Sequence, residues 1–366
     1  MVLVIMMMIS TIVQAQWNAD LSVTNMYDDN VNNNAEQWES NISVLGAAFG
    51  YTAEGTDSEL DLSYDGSFSY YNSFISRTNQ YHSGNISYTR LMGDDGQDRF
   101  RLTGTYGLGV NRDAFTVFDH SYQSAATEYK YFITERIINT LGYAFRSVTF
   151  PQLNDFSYSE HALMVKGAFA FTQTTTGIVQ TDLGTKFYST AVSGSGSSMR
   201  KGIMSSILPS VTQIAGMAKL GQGITPAIGM SLTARYQWNL QKQTRYLSSE
   251  YGFISDDELF DDHYGYEGLH TSLQYTHIFS ETVKGKLTGG IQNKLYSTLS
   301  AYDWEGNIVA DQRTDRRSYV NLLIEKNFID AGFSLKGSLD LIDNTSNDAY
   351  YDYRNTAVSL ELGIPF

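Results

Sequence analysis

The sequence predicts an all-β chain closed into an antiparallel transmembrane β-barrel of about 16 strands, and three observations predict it. Apolar residues recur at every second position in segments of about ten residues, the links between segments alternate in length, and aromatic residues gather toward segment ends. A period of two puts apolar side chains on one face of a strand and polar ones on the other. Composition agrees: 366 residues carry 31 Gly, 26 Tyr and 19 Phe but only 4 Pro, with 17% charged. Mean hydropathy is −0.27. Past the first dozen residues there is no apolar run of the roughly 18 to 20 residues that a membrane helix needs. No Pro/Ser-rich linker divides the chain, so residues 16–366 read as one barrel domain.

Residues 1–15, MVLVIMMMISTIVQA, have the apolar core and length of a signal peptide, with Val13 and Ala15 as the small residues before a cleavage point. Export through the periplasm follows, with the mature chain beginning at Gln16. No Lys or Arg precedes the apolar core, which points to a start codon upstream of Met1.

The alternation is clearest in four segments. Leu60, Leu62, Tyr64, Gly66, Phe68 and Tyr70 interleave with Glu59, Asp61, Ser63, Asp65, Ser67 and Ser69. Phe100, Leu102, Tyr106 and Leu108 interleave with Arg99, Arg101, Thr103 and Thr105. Met230, Leu232, Tyr236 and Trp238 do so with Thr233, Arg235 and Gln237, and Phe333, Leu335, Leu339 and Leu341 with Lys336, Ser338 and Asp340. Short links fall at 54–57, 93–98, 134–135, 174–177, 221–226, 280–282 and 330–331. Longer polar links fall at 28–37, 71–79, 111–118, 149–157, 191–209, 246–266, 303–315 and 343–349. Seven short and eight long links give an even strand number with both termini on the short-turn side, the layout of a membrane barrel. Hydrocarbon supplies no hydrogen-bond partner, so such a sheet must close on itself.

The last segment, TAVSLELGIPF, presents Val358, Leu360, Leu362, Ile364 and the terminal Phe366 on one face. It resembles the C-terminal signal of Gram-negative outer-membrane proteins, and across residues 16–366 the chain resembles porin-like outer-membrane β-barrels. The Asn- and Tyr-rich segment NMYDDNVNNN is similar in texture to barrels of the Bacteroidota. The resemblance implies residence in the outer membrane, insertion by the barrel assembly machinery, contact with outer-membrane lipid and lipopolysaccharide, and passive solute passage. Pro365, next to the terminal Phe366, departs from the usual strand ending.

Other functions are disfavoured by composition. The absence of Cys excludes disulfides, thiolate metal sites and covalent haem attachment. A formal charge of −14 argues against nucleic acid, and no cofactor is expected. Among the six His, only His120 and His263 follow an Asp directly, and adjacent strand residues point to opposite faces, so no enzyme is expected. The acidic run at Asp256, Asp257, Glu258, Asp261 and Asp262 offers carboxylates for a divalent metal ion or for bridging to lipopolysaccharide, but lacks the spacing of an EF-hand. Arg200 and Lys201, in a Gly/Ser-rich link, are candidates for lipopolysaccharide phosphates.

The polar faces name the expected pore lining: Glu59, Asp61, Asp65, Arg99, Arg101, Arg235, Lys284, Lys286, Lys336 and Asp340. In a 16-strand ring the third and eleventh strands stand opposite each other, which sets the three acids against Arg235 in a transverse field. Acidic outer loops and the four bases near the short turns, Arg99, Arg101, Lys284 and Lys286, predict weak cation preference. The third outer loop is too short to reach mid-bore, so any constriction is expected from 191–209 or 246–266. A channel for small hydrophilic solutes is the leading expectation. The alternative is a scaffold that sheathes or anchors a partner polypeptide, and a homo-oligomer fits either.

Overall fold

The computed structural model describes residues 14–93, 96–189, 210–241 and 262–366. In chain order the strands are β1 (Gln14–Asp28), β2 (Ser40–Glu54), β3 (Ser58–Tyr71), β4 (Asn79–Met92), β5 (Asp98–Asn111) and β6 (His120–Thr134). Next come β7 (Ile137–Thr149), β8 (Tyr158–Ala170), β9 (Thr175–Tyr188), β10 (Ser210–Thr225), β11 (Ile228–Asn239) and β12 (Gly268–Ser280). The chain continues through β13 (Val283–Tyr296), β14 (Ala301–Tyr302), β15 (Ile308–Ala310), β16 (Arg313–Phe328), β17 (Phe333–Ser346) and β18 (Tyr353–Pro365). All but β14 and β15, which form a small hairpin inside one loop, pair antiparallel with their neighbours in a closed ring of 16.

Closure is made by β1 and β18, with Leu21 opposite Ile364, Val23 opposite Leu362 and Tyr27 opposite Val358. The last residue takes part: the Phe366 amide donates to the Ala19 carbonyl at 2.7 Å and its carbonyl accepts from the Ala19 amide at 3.2 Å. Every strand of the ring thereby gains a partner on both sides, which removes the unpaired edge that hydrocarbon penalises by several kcal/mol per group.

Two short links differ from expectation. The chain turns at 171–174 rather than 174–177, because the Thr172 hydroxyl accepts the amides of Thr174 at 3.2 Å and Thr175 at 3.0 Å. It turns at Pro226 and Ala227 rather than across 221–226, since Gly221 and Gly223 stay in the β10–β11 ladder and a bulge follows at Gly223 and Thr225. Pairing in β1 reaches Gln14 and Ala15, opposite Glu54 and Ala53, two residues ahead of the mature start expected at Gln16. Gly332, at φ +67, closes the β16–β17 turn in a left-handed conformation that other residues adopt only with strain.

The register sorts side chains by face. Leu45, Phe49, Leu102, Leu163, Val179, Leu232 and Leu360 stand outward and exposed, as a lipid-facing belt requires. The opposite face is polar, and parts of the described outer loops fold onto it.

Candidate functional site in the barrel lumen

The ten residues expected to line the pore all occupy inward register positions: Glu59, Asp61 and Asp65 on β3, Arg99 and Arg101 on β5, Arg235 on β11, Lys284 and Lys286 on β13, Lys336 and Asp340 on β17. Several are held by neighbours. Asp61 accepts from the Thr52 hydroxyl at 2.8 Å, Arg101 donates to Ser87 at 2.8 Å, and Asp340 accepts from Asn321 at 2.6 Å. Lys336 pairs with Glu361 at 2.8 Å, and Lys284 lies 3.5 Å from Glu325.

Arg235 differs from its expected role. Its guanidinium lies 3.1 Å from the carboxylate of Asp182 on β9, two strands away on the same wall, so much of its charge is answered locally before it crosses the bore. Sequence reasoning missed Asp182 because the pairing spans 53 positions. A broader asymmetry survives. No Lys or Arg precedes Arg77, so the inward charges on β1 to β3 are all carboxylates, whereas every inward Lys or Arg on the described strands lies on β5 or later.

The outer end of the lumen is narrowed by chain folding inward from two sides. On one side, residues 262–266 return toward β12 inside the ring. Asp262 is fully buried, accepts the Tyr264 amide at 3.0 Å and meets the Lys186 ammonium of β9 at 2.6 Å. Inner-wall amides secure the segment's carbonyls: Gln213 donates to His263 at 2.7 Å, Gln237 to Tyr266 at 2.9 Å and Asn239 to Tyr264 at 2.9 Å. The Tyr264 hydroxyl donates to Glu160 on β8 at 2.5 Å. Gly184 makes the approach possible, since a Cβ there would lie 2.2 Å from that hydroxyl. Around Tyr264 gather Phe118, Val148, Phe150, Tyr158, Tyr188 and Val211, an apolar cluster at the outer mouth. Phe118 brings in the third outer loop, which contributes at the rim.

On the other side the first outer loop, 29–39, turns inward and buries Asn30 and Asn34. Asn30 donates to the carbonyls of Asn34 at 2.7 Å and Arg354 at 2.9 Å, while Asn355 donates back to the Asn30 carbonyl at 2.8 Å. Arg77 of the second loop bonds Asn32 and lies over the rings of Tyr71 and Phe115, linking the first three loops.

Beneath Tyr264, against the wall made by β6 to β11, lies a recess of about 350 Å³. Its floor is made of small residues such as Ala126, Ala144 and Ala162, and its charges are Glu128, Glu160, Asp182 and Arg235. No sequence pattern announced this recess, because its roof and floor come from segments more than a hundred residues apart.

Of the acidic run, Asp256, Asp257, Glu258 and Asp261 lie outside the described residues, as do Arg200, Lys201 and nearly all of the two loops expected to constrict the bore. Asp262 is engaged by Lys186 rather than presented as a free ligand for a metal ion. Of the Asp-His pairs, Asp119 accepts the Asn111 amide at 2.6 Å, and His120 packs beside Phe150 with ring centres 5.4 Å apart.

No protein-family model and no curated protein matches the chain. Solved structures do match in fold. Acinetobacter baumannii OccAB3 superposes with a TM-score of 0.52 at 9% identity, covering 96% of this chain and 100% of that one. Pseudomonas aeruginosa OprD gives 0.51 at 8% identity, covering 97% and 96%. The fold is that of porin-like outer-membrane barrels. A bacterial polysaccharide outer membrane secretin is similar as well, with a TM-score of 0.50 at 6% identity over 95% of this chain and 98% of that one. A porin-like barrel therefore sets the architecture, and the side chains must carry any statement about function.

Proposed function

We propose that the chain is an outer-membrane channel for passive diffusion of small hydrophilic solutes, with a preference for cations. The observation that carries this reading is the closed ring itself: an apolar outer face around a lumen lined by ionisable and amide side chains. A bore of 16 strands is wide enough for water, and polar walls keep it wet. The all-acid inner faces of β1 to β3 support the cation preference, since low-dielectric walls focus their field into the lumen. The infolded 29–39 and 262–266 segments narrow the outer mouth, which supports small solutes over the sheathing of a partner polypeptide, for which that space would be needed. The same face distribution supports residence in the outer membrane.

Planar-bilayer recording with liposome swelling tests the reading. Single-channel steps from the purified chain alone, with a reversal potential favouring cations at low salt, are expected. A silent bilayer and swelling no faster than protein-free liposomes would overturn it and favour the scaffold.

A further inference from the structure

Outward-facing strand positions carry few charges. Arg90, Asp98 and Lys326 lie beside the short turns. Toward the long loops, the charged outward residues on described strands are Arg316, Asp343 and Arg354, on the adjacent strands β16, β17 and β18. Arg354 stands opposite Asp343, with its Nε 3.5 Å from the carboxylate and its side chain 81% exposed. Arg316, also exposed, sits two positions from Ser318, which is the other partner of Asp343 in register.

Immediately toward the short turns, the same face is hollowed into a groove of about 770 Å³. Gly289 is flanked in register by Leu273 and Val320, and with Ser318 it forms the floor between Ile291 and Leu341. Packing does not demand the glycine, because a Cβ there would meet only the Tyr319 carbonyl oxygen at 3.8 Å. The hollow opens toward lipid.

We propose that this face binds one phosphorylated glycolipid of the outer leaflet, of the lipopolysaccharide type, with a phosphate on Arg316 and Arg354 and an acyl chain in the groove. The inference rests on the outer-membrane placement proposed above. Guanidinium groups hold phosphate oxygens through paired, charge-assisted hydrogen bonds. Arginines on a lipid-facing surface are costly away from the interface, and these two sit near the long-loop ends of β16 and β18. Two guanidinium groups against one carboxylate leave a net positive site. A second copy of this chain packed about a two-fold axis would instead bring arginine toward arginine.

The test uses the purified, delipidated barrel titrated with lipid A and followed by native mass spectrometry. Replacing both Arg316 and Arg354 with Ala is expected to weaken binding about tenfold or more, close to 1.4 kcal/mol. Gly289→Phe, which fills the groove and leaves the arginines, is expected to weaken it too, and Asp343→Asn to tighten it. Dephosphorylated lipid A should bind wild type poorly, and inorganic phosphate should fail to displace the lipid. Equal binding by wild type and the double variant would overturn the site. Full displacement by phosphate, or Ser318→Cys cross-linking into dimers that lipid does not prevent, would also overturn it. Heat-modifiable migration of each variant reports folding. Membrane fractionation separates the two readings: absence from the outer membrane sinks the placement, whereas presence there with no preference for the phosphorylated lipid sinks only the site.

Discussion

Lys186 on β9 and Asp262, 76 positions later, meet at 2.6 Å with both side chains sealed from water. The ammonium also lies 3.8 Å from the centre of the Tyr158 ring, so one wall residue holds the returning loop by charge and by an aromatic face.

Removing one member leaves the other buried and unpaired. Lys186→Met or Asp262→Asn should therefore destabilise the outer end by about 3–5 kcal/mol. Replacing both with apolar residues should recover much of that loss. Earlier loss of heat-modifiable migration in the single variants, relative to the double, is the measurement.

If 262–266 narrows the bore, its release should widen it. Gly184→Ala places a methyl group against the Tyr264 hydroxyl, and deletion of 249–263 removes Asp262 and His263 from the loop. Both should raise single-channel conductance. Unchanged conductance in both would show that the narrowest point lies elsewhere.

Asp182 answers Arg235, so the two should move selectivity in opposite directions. Asp182→Asn frees the guanidinium and should shift the reversal potential toward anions, whereas Arg235→Gln frees the carboxylate and should shift it toward cations. Both shifts should shrink as salt rises and the Debye length falls below about 8 Å.

The acid wall makes a stronger claim. Changing Glu59, Asp61 and Asp65 together to their amides, at nearly constant volume, should reduce cation preference at low salt more than either Arg235 or Asp182 alone. Retained preference in the triple variant would show that these three carboxylates are not its source.

Phe366 completes the β1–β18 seam through its backbone and is 71% exposed, so its ring is accessible if the C-terminal signal is read there. Phe366→Ala should accumulate protease-sensitive periplasmic protein, and Phe328→Ala should do so far less. Equal insertion of wild type and the Phe366 variant would remove the case for a C-terminal signal.

Alternation of side chains and of link lengths determined the closed barrel of about 16 strands and which face of each strand points inward. A period of two leaves a strand only two choices, and lipid on one side with water on the other decides between them. Glu59 and Lys286 fall on the inner face for that reason. Tertiary structure alone decided what those groups meet. Asp182 reaches Arg235 across two strands, Lys186 waits for Asp262, Tyr264 finds Glu160 over a bare Gly184, and Arg316 shares a face with Arg354 only because β16, β17 and β18 stand side by side. Such partnerships depend on ring closure and on loops that fold back through space, and local periodicity records neither.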